Sequence, residues 1–248
     1  MAASDSFGTW GPVPVFRTLG EALRLYRLLF VRSVTVAAFV YGVVALAEIV
    51  HHVTSGAPAA LISLFIFLLT IAGPAFVQGA LVVLVRNIHE GRRAAPIGEL
   101  VRETRPKLLR LIGASFVYAF GVAAGLVLLI VPGLVAAARW SLMPPIVMFE
   151  DRRISEARRR SSVLVKGYGP PVFVCILIGA LLVVPVAVYL AFSGFSFGTR
   201  TFAGFVLSSL TAPFEAHVLT ALYYRRADPQ SPVIHPDVRT WRSVWEGK

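Results

Sequence analysis

Four ionisable residues stand inside long apolar runs of this chain: Glu48, Arg139, Glu215 and His217. A lone charge near the centre of a bilayer costs at least ~2.5 kcal/mol on insertion scales, so such residues pair with one another or mark a path for ions, solutes or headgroups. Arg139 lies eleven positions before Glu150, and Glu215 ten before Arg225. At 1.5 Å per helical residue, both fall ~15–17 Å inside the nearest charged boundary. Similar depth and opposite charge predict an Arg139–Glu215 ion pair between two spans, serving either as a packing strut or as the polar site of a transporter. Glu48 is near the end of its run and can reach water. His217 follows Glu215 by two positions, which on a helix turns it to another face.

No other set of residues carries recognisable chemistry. The chain has no H-E-x-x-H, no pair of C-x-x-C, no G-x-S-x-G and no Walker-type phosphate loop. Adjacent His51 and His52 point apart on a helix and have only Glu48 nearby, a poor metal set. Glu150 and Asp151 could activate a water, but Arg152 and Arg153 beside them make interfacial ion pairing the commoner explanation. The single cysteine, Cys175, sits in an apolar run, cannot close an intrachain disulfide, and reads as a small packing residue. The expectation is a protein with no catalytic residue, cofactor site or metal site, and hence no enzyme.

The elements that position these residues follow from composition. Charged residues make up 15% and hydrophobic residues 56% of 248 residues, against roughly 25% charged in soluble domains. So little charge cannot coat a water-soluble surface of this size, and lipid must be the solvent for much of it. The net charge of +11 does not point to nucleic acid, because Lys and Arg lie in short clusters between apolar runs rather than on one solvated face.

Six apolar runs are long enough for spans: about 33–50, 60–85, 111–131, 134–149, 171–192 and 202–224. The fourth is short for a crossing. Pro132-Gly133 is expected to turn between the third and fourth, and Pro74 and Pro185 to kink their helices. Segments 16–32, 86–110, 150–169 and 225–248 hold nearly every Lys and Arg, while the alternate loops hold only Arg200. By the positive-inside rule this is an all-α, polytopic, plasma-membrane protein with six transmembrane helices and both termini cytoplasmic. Residues 1–15 read as a flexible tail, 16–226 as the membrane domain and 227–248 as a cytoplasmic tail. The first residues lack the basic start, apolar core and cleavage site of a removable signal peptide. Residues 16–32 form a basic amphipathic helix with Leu19, Leu23, Tyr26 and Phe30 on one face, suited to the headgroup plane.

Three inside segments share a scheme of aliphatic, small, Glu, apolar, any, Arg: 19–24, 97–102 and 154–159. Gly or Ser suits an N-cap and Glu suits the first helical turn. The scheme reads as a threefold repeat of amphipathic cytoplasmic helix plus transmembrane hairpin, or more plainly as the way any amphipathic helix begins.

The stretch 126–169 carries a further pattern: Leu129-Ile130-Val131-Pro132-Gly133, Arg139-Trp140-Ser141, Pro145, Glu150, Ser155, Ala157, Arg160-Ser161, Leu164 and Lys166-Gly167, with Pro213 and Leu222-Tyr223-Tyr224 later. It resembles the bacterial six-span family that includes the membrane domain attached to some glycerophosphoryl diester phosphodiesterases. The resemblance implies a helical membrane domain of this size. The family's catalytic barrel is a separate domain for which 248 residues leave no room, so no catalytic residue carries over. Two functions fit: a non-enzymatic scaffold or accessory factor for lipid or envelope processes, whose cytoplasmic arginines meet anionic lipids, or a transporter or permease subunit with its site at Arg139 and Glu215. Reporters fused to the two chain ends are expected on the same side of the membrane; opposite sides would overturn the even number of crossings.

Overall fold

A computed structural model describes residues 15–54, 57–228 and 233–234. The N-terminal tail, Ser55 and Gly56 of the first turn, His235 and nearly all of the C-terminal tail lie outside the described residues. The described chain is helical, with no strand among its described residues. Its helices are α1 (Val15–Val53), α2 (Ala57–His89), α3 (Ile97–Thr104), α4 (Leu108–Leu128), α5 (Ile130–Trp140), α6 (Met143–Glu150), α7 (Ile154–Val165), α8 (Gly169–Phe192) and α9 (Phe197–Ala227). Six stretches are long and apolar enough to cross a membrane: α1, most of α2, α3 with α4, α5 with α6, α8 and α9. The all-α, six-span expectation is what the structure contains.

The spans close into a ring. α1 lies along α9, α2 packs on α1, α4, α6 and α9, α5 joins α4 to α8, and α8 returns to α9. Three helices outlast a bilayer. α1 has 39 residues, α2 33 and α9 31, hence ~58, ~50 and ~46 Å against a hydrocarbon core of ~30 Å. The excess gathers at the basic end. There Ala22, Leu25, Leu29, Leu81, Leu84, Ile88 and Leu222 are fully buried, together with Leu100 of α3 and Ala157 of α7. At the other end Val127, Leu128, Ile130 and Phe192 face outward, as side chains do toward lipid.

Several local expectations are corrected. The basic helix of 16–32 is not a separate surface element but the first turns of α1, continuous with the first span. Its buried stripe is Thr18, Ala22, Leu25, Leu29 and Ser33, whereas Leu23 and Phe30 are exposed. Small residues in that stripe let α9 approach closely, so packing rather than hydrophobicity chose the face. Ala57 and Pro58 belong to α2, not to a turn. Pro74 and Pro185 lie inside α2 and α8, which are uninterrupted there, as a bent helix also is. In the shared six-residue scheme, α3 and α7 start one residue before the expected cap: Pro96 and Arg153 are the N-caps, and Gly98 and Ser155 lie within the first turn. The first-turn glutamates, Glu99 and Glu156, are where the dipole favours them.

Pro132-Gly133 is likewise not the turn. The chain reverses at Leu129, in extended conformation (φ −161°, ψ 138°), and Pro132 sits in the first turn of α5, where an amide has no intrahelical partner to lose. Gly133 serves close approach instead: a Cβ on Gly125 would stand 2.7 Å from Gly133 Cα. A Cβ on Gly121 would stand 1.9 Å from the Trp140 ring. Glycines thus set the tight α4–α5 hairpin, the usual device where no hydrophobic force drives helices together.

The short fourth span is two helices. Pro144 and Pro145 supply no amides to the preceding turn, and the ladder breaks at Ser141-Leu142. Ser161 of α7 closes the gap. Its hydroxyl donates to Arg139 C=O at 2.6 Å and accepts Leu142 N–H at 3.2 Å. Gly167 turns the chain from α7 to α8 at φ +81°, a conformation that costs a side chain about 1 kcal/mol or more. Ser161→Ala is expected to cost ~1–3 kcal/mol by leaving buried backbone groups unmet, read as a lower Tm in detergent. Ser162→Ala, whose exposed hydroxyl bonds only Arg158 C=O within α7, should stay within ~0.5 kcal/mol. Equal effects of the two would show that the bridge does not hold the break.

Candidate functional site

Arg139 and Glu215 do not meet. Neither takes part in an ion pair among the described residues, and the Arg139 side chain is exposed. The expected pair fails because depth was counted from the ends of helices that continue past the membrane. Helix α7 carries Arg158 and Arg159 on its exposed face, and its N-cap Arg153 is exposed too, so it must lie at water or headgroups. Arg158 stacks over the Trp140 ring at 5.3 Å, and Ser161 bonds the Arg139 carbonyl. Arg139 is therefore one helix away from the interface and reaches polar surroundings alone. On α9, Nε2 of His217 meets Ser33 Oγ at 3.1 Å, which sets Glu215 about level with the residue at which α1 leaves its arginines.

Glu215 faces a cavity of about 320 Å³ inside the ring. Pro74 and Gln78 of α2, Ser115 and Tyr118 of α4, Ser141 and Pro144 at the α5–α6 break, Cys175 and Gly179 of α8 and Glu215 of α9 line it. Gly179 leaves the room: a Cβ there would stand 3.5 Å from Glu215 Cγ and 3.8 Å from Oε1. No hydrogen bond or ion pair holds the Glu215 carboxyl among the described residues, and the Tyr118 side chain lines the same cavity. Leu81, Leu111, Met148 and Leu222 are buried in the core, whereas Phe116, Phe120 and Leu181 of α4 and α8 are exposed. An uncommitted carboxyl in a mostly apolar cavity suits a cation or hydrogen-bond donor carried on an apolar body.

The rest of the pattern is structural in its contacts. Glu150 accepts from Arg152 Nε at 2.5 Å, from Arg160 Nε at 3.1 Å and from the Tyr223 hydroxyl at 3.2 Å. Asp151, in a left-handed conformation, takes Arg110 at 2.9 Å and Lys107 at 3.6 Å. Lys107 also donates to Met148 C=O at 2.7 Å, capping α6. Glu21 receives two hydrogen bonds from Arg225, at 2.5 and 2.8 Å, tying α1 to α9. Arg86 pairs with Glu103, and Arg32 donates to the Ala94 and Ala95 carbonyls. Ser33 and His217 form a Ser–His pair, but both are fully buried, and no partner among the described residues meets His217 Nδ1 to orient it as a base. His52 stacks on Phe197 at 4.1 Å and His51 Nε2 lies 3.5 Å from Ser63 Oγ. Among the described residues no three His, Cys, Asp or Glu converge as a metal set.

Sequence reasoning picked out Glu215, and named Ser141 only within a resemblance, but missed Gln78, Ser115, Tyr118 and the cavity role of Cys175. Each of these stands in a mainly apolar helix. The signal available was Gly179, a small residue at a wall where a long side chain must fit, and it carries meaning only once α8 and α9 are set side by side.

Residues 29–225 match a family described as "Uncharacterised protein family (UPF0259)". A UPF0259 membrane protein of Pectobacterium carotovorum subsp. carotovorum (strain PC1) is 28% identical over 153 residues, covering 62% of this chain and 60% of that protein. The aligned part is thus less than two thirds of that relative. Neither match carries the phosphodiesterase name. No solved structure matches the chain. Because Arg139 has no ion-pair partner to lose, Arg139→Gln is expected to change stability by less than ~0.5 kcal/mol, whereas Arg225→Gln, which strips two hydrogen bonds from Glu21, should cost ~1 kcal/mol or more. Thermal unfolding in detergent compares the two; a larger loss for Arg139→Gln would restore a structural role to that charge.

Proposed function

Since the chain belongs to the UPF0259 membrane protein family, we propose that it is a non-enzymatic protein of the bacterial plasma membrane, with both termini cytoplasmic, that takes an amphiphile with a cationic or hydrogen-bond-donating head from the bilayer into the Glu215 cavity. The observation that carries this reading is the free Glu215 carboxyl in a cup walled by α2, α4, α8, α9 and the α5–α6 break. The cup's place in the bundle supports a ligand-binding accessory or carrier role over a bare scaffold. The basic end adds a second contact. Arg24, Arg27, Arg102, Arg153, Arg159 and Lys166 are exposed and outside the ion pairs among the described residues. Charges near the surface of an anionic leaflet contribute ~1 kcal/mol each.

Cys175, the one cysteine of the chain, lines the cavity and reports on it. In detergent-solubilised full-length protein, dodecylamine is expected to slow alkylation by N-ethylmaleimide several-fold more than dodecanol does, and Glu215→Gln to erase the difference. Ala180→Cys in a Cys175→Ala background places the thiol on a more open part of the same wall and should give the same ranking. Equal protection by amine and alcohol at both thiols would overturn the reading.

A further inference from the structure

At the end of the bundle opposite the basic face, α1 and α9 enclose a second space, of about 420 Å³. Glu48 and Tyr41 of α1 line it from one side, and Arg200, Thr201, Phe205 and Ser208 of α9 from the other. The level follows from one antiparallel register. Ser33 meets His217 at 3.1 Å near the basic end, and Thr201 Oγ1 donates to Glu48 Oε2 at 3.5 Å near the far end. Glu48 and Arg200 are thus fifteen residues or more beyond the arginines that mark the inner interface, ~22 Å along the helices. That depth leaves them ~8 Å short of the far boundary of a ~30 Å core, close enough for long polar side chains to reach its headgroups. Phe195 and Phe202 are exposed around them, as at a membrane–water boundary.

A packing role would have the two charges neutralise each other. They do not pair: no ion pair joins Glu48 to Arg200, Arg200 is exposed, and among the described residues the Glu48 carboxylate has only a long hydrogen bond from Thr201. One acceptor and one cation open to the same pocket, beside apolar walls from Val44, Ala45 and Phe205, form the complement of a ligand with a cation and an anion held apart on an apolar tail. We infer that the Glu48–Arg200 pocket binds the headgroup of a zwitterionic phospholipid with a primary ammonium, phosphatidylethanolamine in chemical terms. Glu48 accepts from its ammonium and Arg200 donates to its phosphate. The acyl chains run down the outer faces of α1 and α9. The assignment stands apart from the Glu215 cavity and does not depend on what that cavity holds.

Native mass spectrometry of the detergent-purified full chain tests this. The protein is offered equal amounts of phosphatidylethanolamine and phosphatidylglycerol, and retained lipid is counted. Wild type is expected to keep the ethanolamine lipid preferentially. Glu48→Gln and Arg200→Gln should each lower that retention about tenfold, the loss of one hydrogen bond to a charged group. Phosphatidylglycerol held by the basic face should be unchanged in both variants. Size-exclusion profiles and Tm values confirm that the variants are folded. Phe205→Ala, which removes wall but neither charge, should weaken retention without changing the ratio of the two lipids. Equal retention of the two lipids by wild type, or a Glu48→Gln variant that keeps the ethanolamine lipid as wild type does, would overturn the inference. Displacement of bound lipid by millimolar O-phosphoethanolamine would overturn it in favour of a soluble zwitterion.

Discussion

A backbone group freed inside a membrane has no water to turn to, so the protein must supply its partner. That constraint organises this structure. Pro144 and Pro145 interrupt the fourth span, and a side chain from another helix bridges backbone groups on either side of the break. Ser161 does so from α7, which fixes α7 against the α5–α6 break. α7 in turn places Arg160 on Glu150, and Glu150 receives the Tyr223 hydroxyl from α9. A break in one helix thereby becomes the joint through which three helices register. Pro213 in α9 is met in a similar way, with the Tyr26 hydroxyl of α1 donating to Leu210 C=O one residue beyond the carbonyl that lost its donor.

The basic end is consequently more than a topology signal. Positive-inside charge would be satisfied by arginines in any loop, yet here α1, α2 and α9 run past the bilayer and pack with α3 and α7 around a fully buried aliphatic core. Arg225–Glu21, Arg86–Glu103 and Arg110–Asp151 fasten the rim of that core. Single exposed pairs contribute ~0–1 kcal/mol. Their effect here is geometric: they join helices that glycine contacts and aliphatic packing have already brought close.

The tight end and the parted end divide the functions proposed for them. Close packing excludes ligand at the basic end. Beyond it the helices separate enough to leave room around Glu215, and further along around Glu48 and Arg200. Both spaces contain polar groups that no ion pair within the described residues takes up, and in apolar surroundings such a group is costly unless a ligand answers it.

What the residues alone determined was set by local periodicity and solvent preference. Six apolar runs, arginine clusters at every second gap and an all-helical chain are properties of segments, and each segment carries them whatever its neighbours do. First-turn glutamates and the placing of Glu215 inside an apolar run belong to the same class. What only the tertiary structure decided was depth and partnership. Arg139 and Glu215 look equally deep when counted along their own helices, but α9 is ~46 Å long and its last turns lie in a core that no single helix announces. Leu23 and Phe30 look like the buried face of α1 until α9 takes the side bearing Ala22 and Ser33. Which polar residues share a cavity, and which charges stay unpaired, depends on the relative register of helices far apart in the chain, and hydropathy along one strand of sequence contains no term for that.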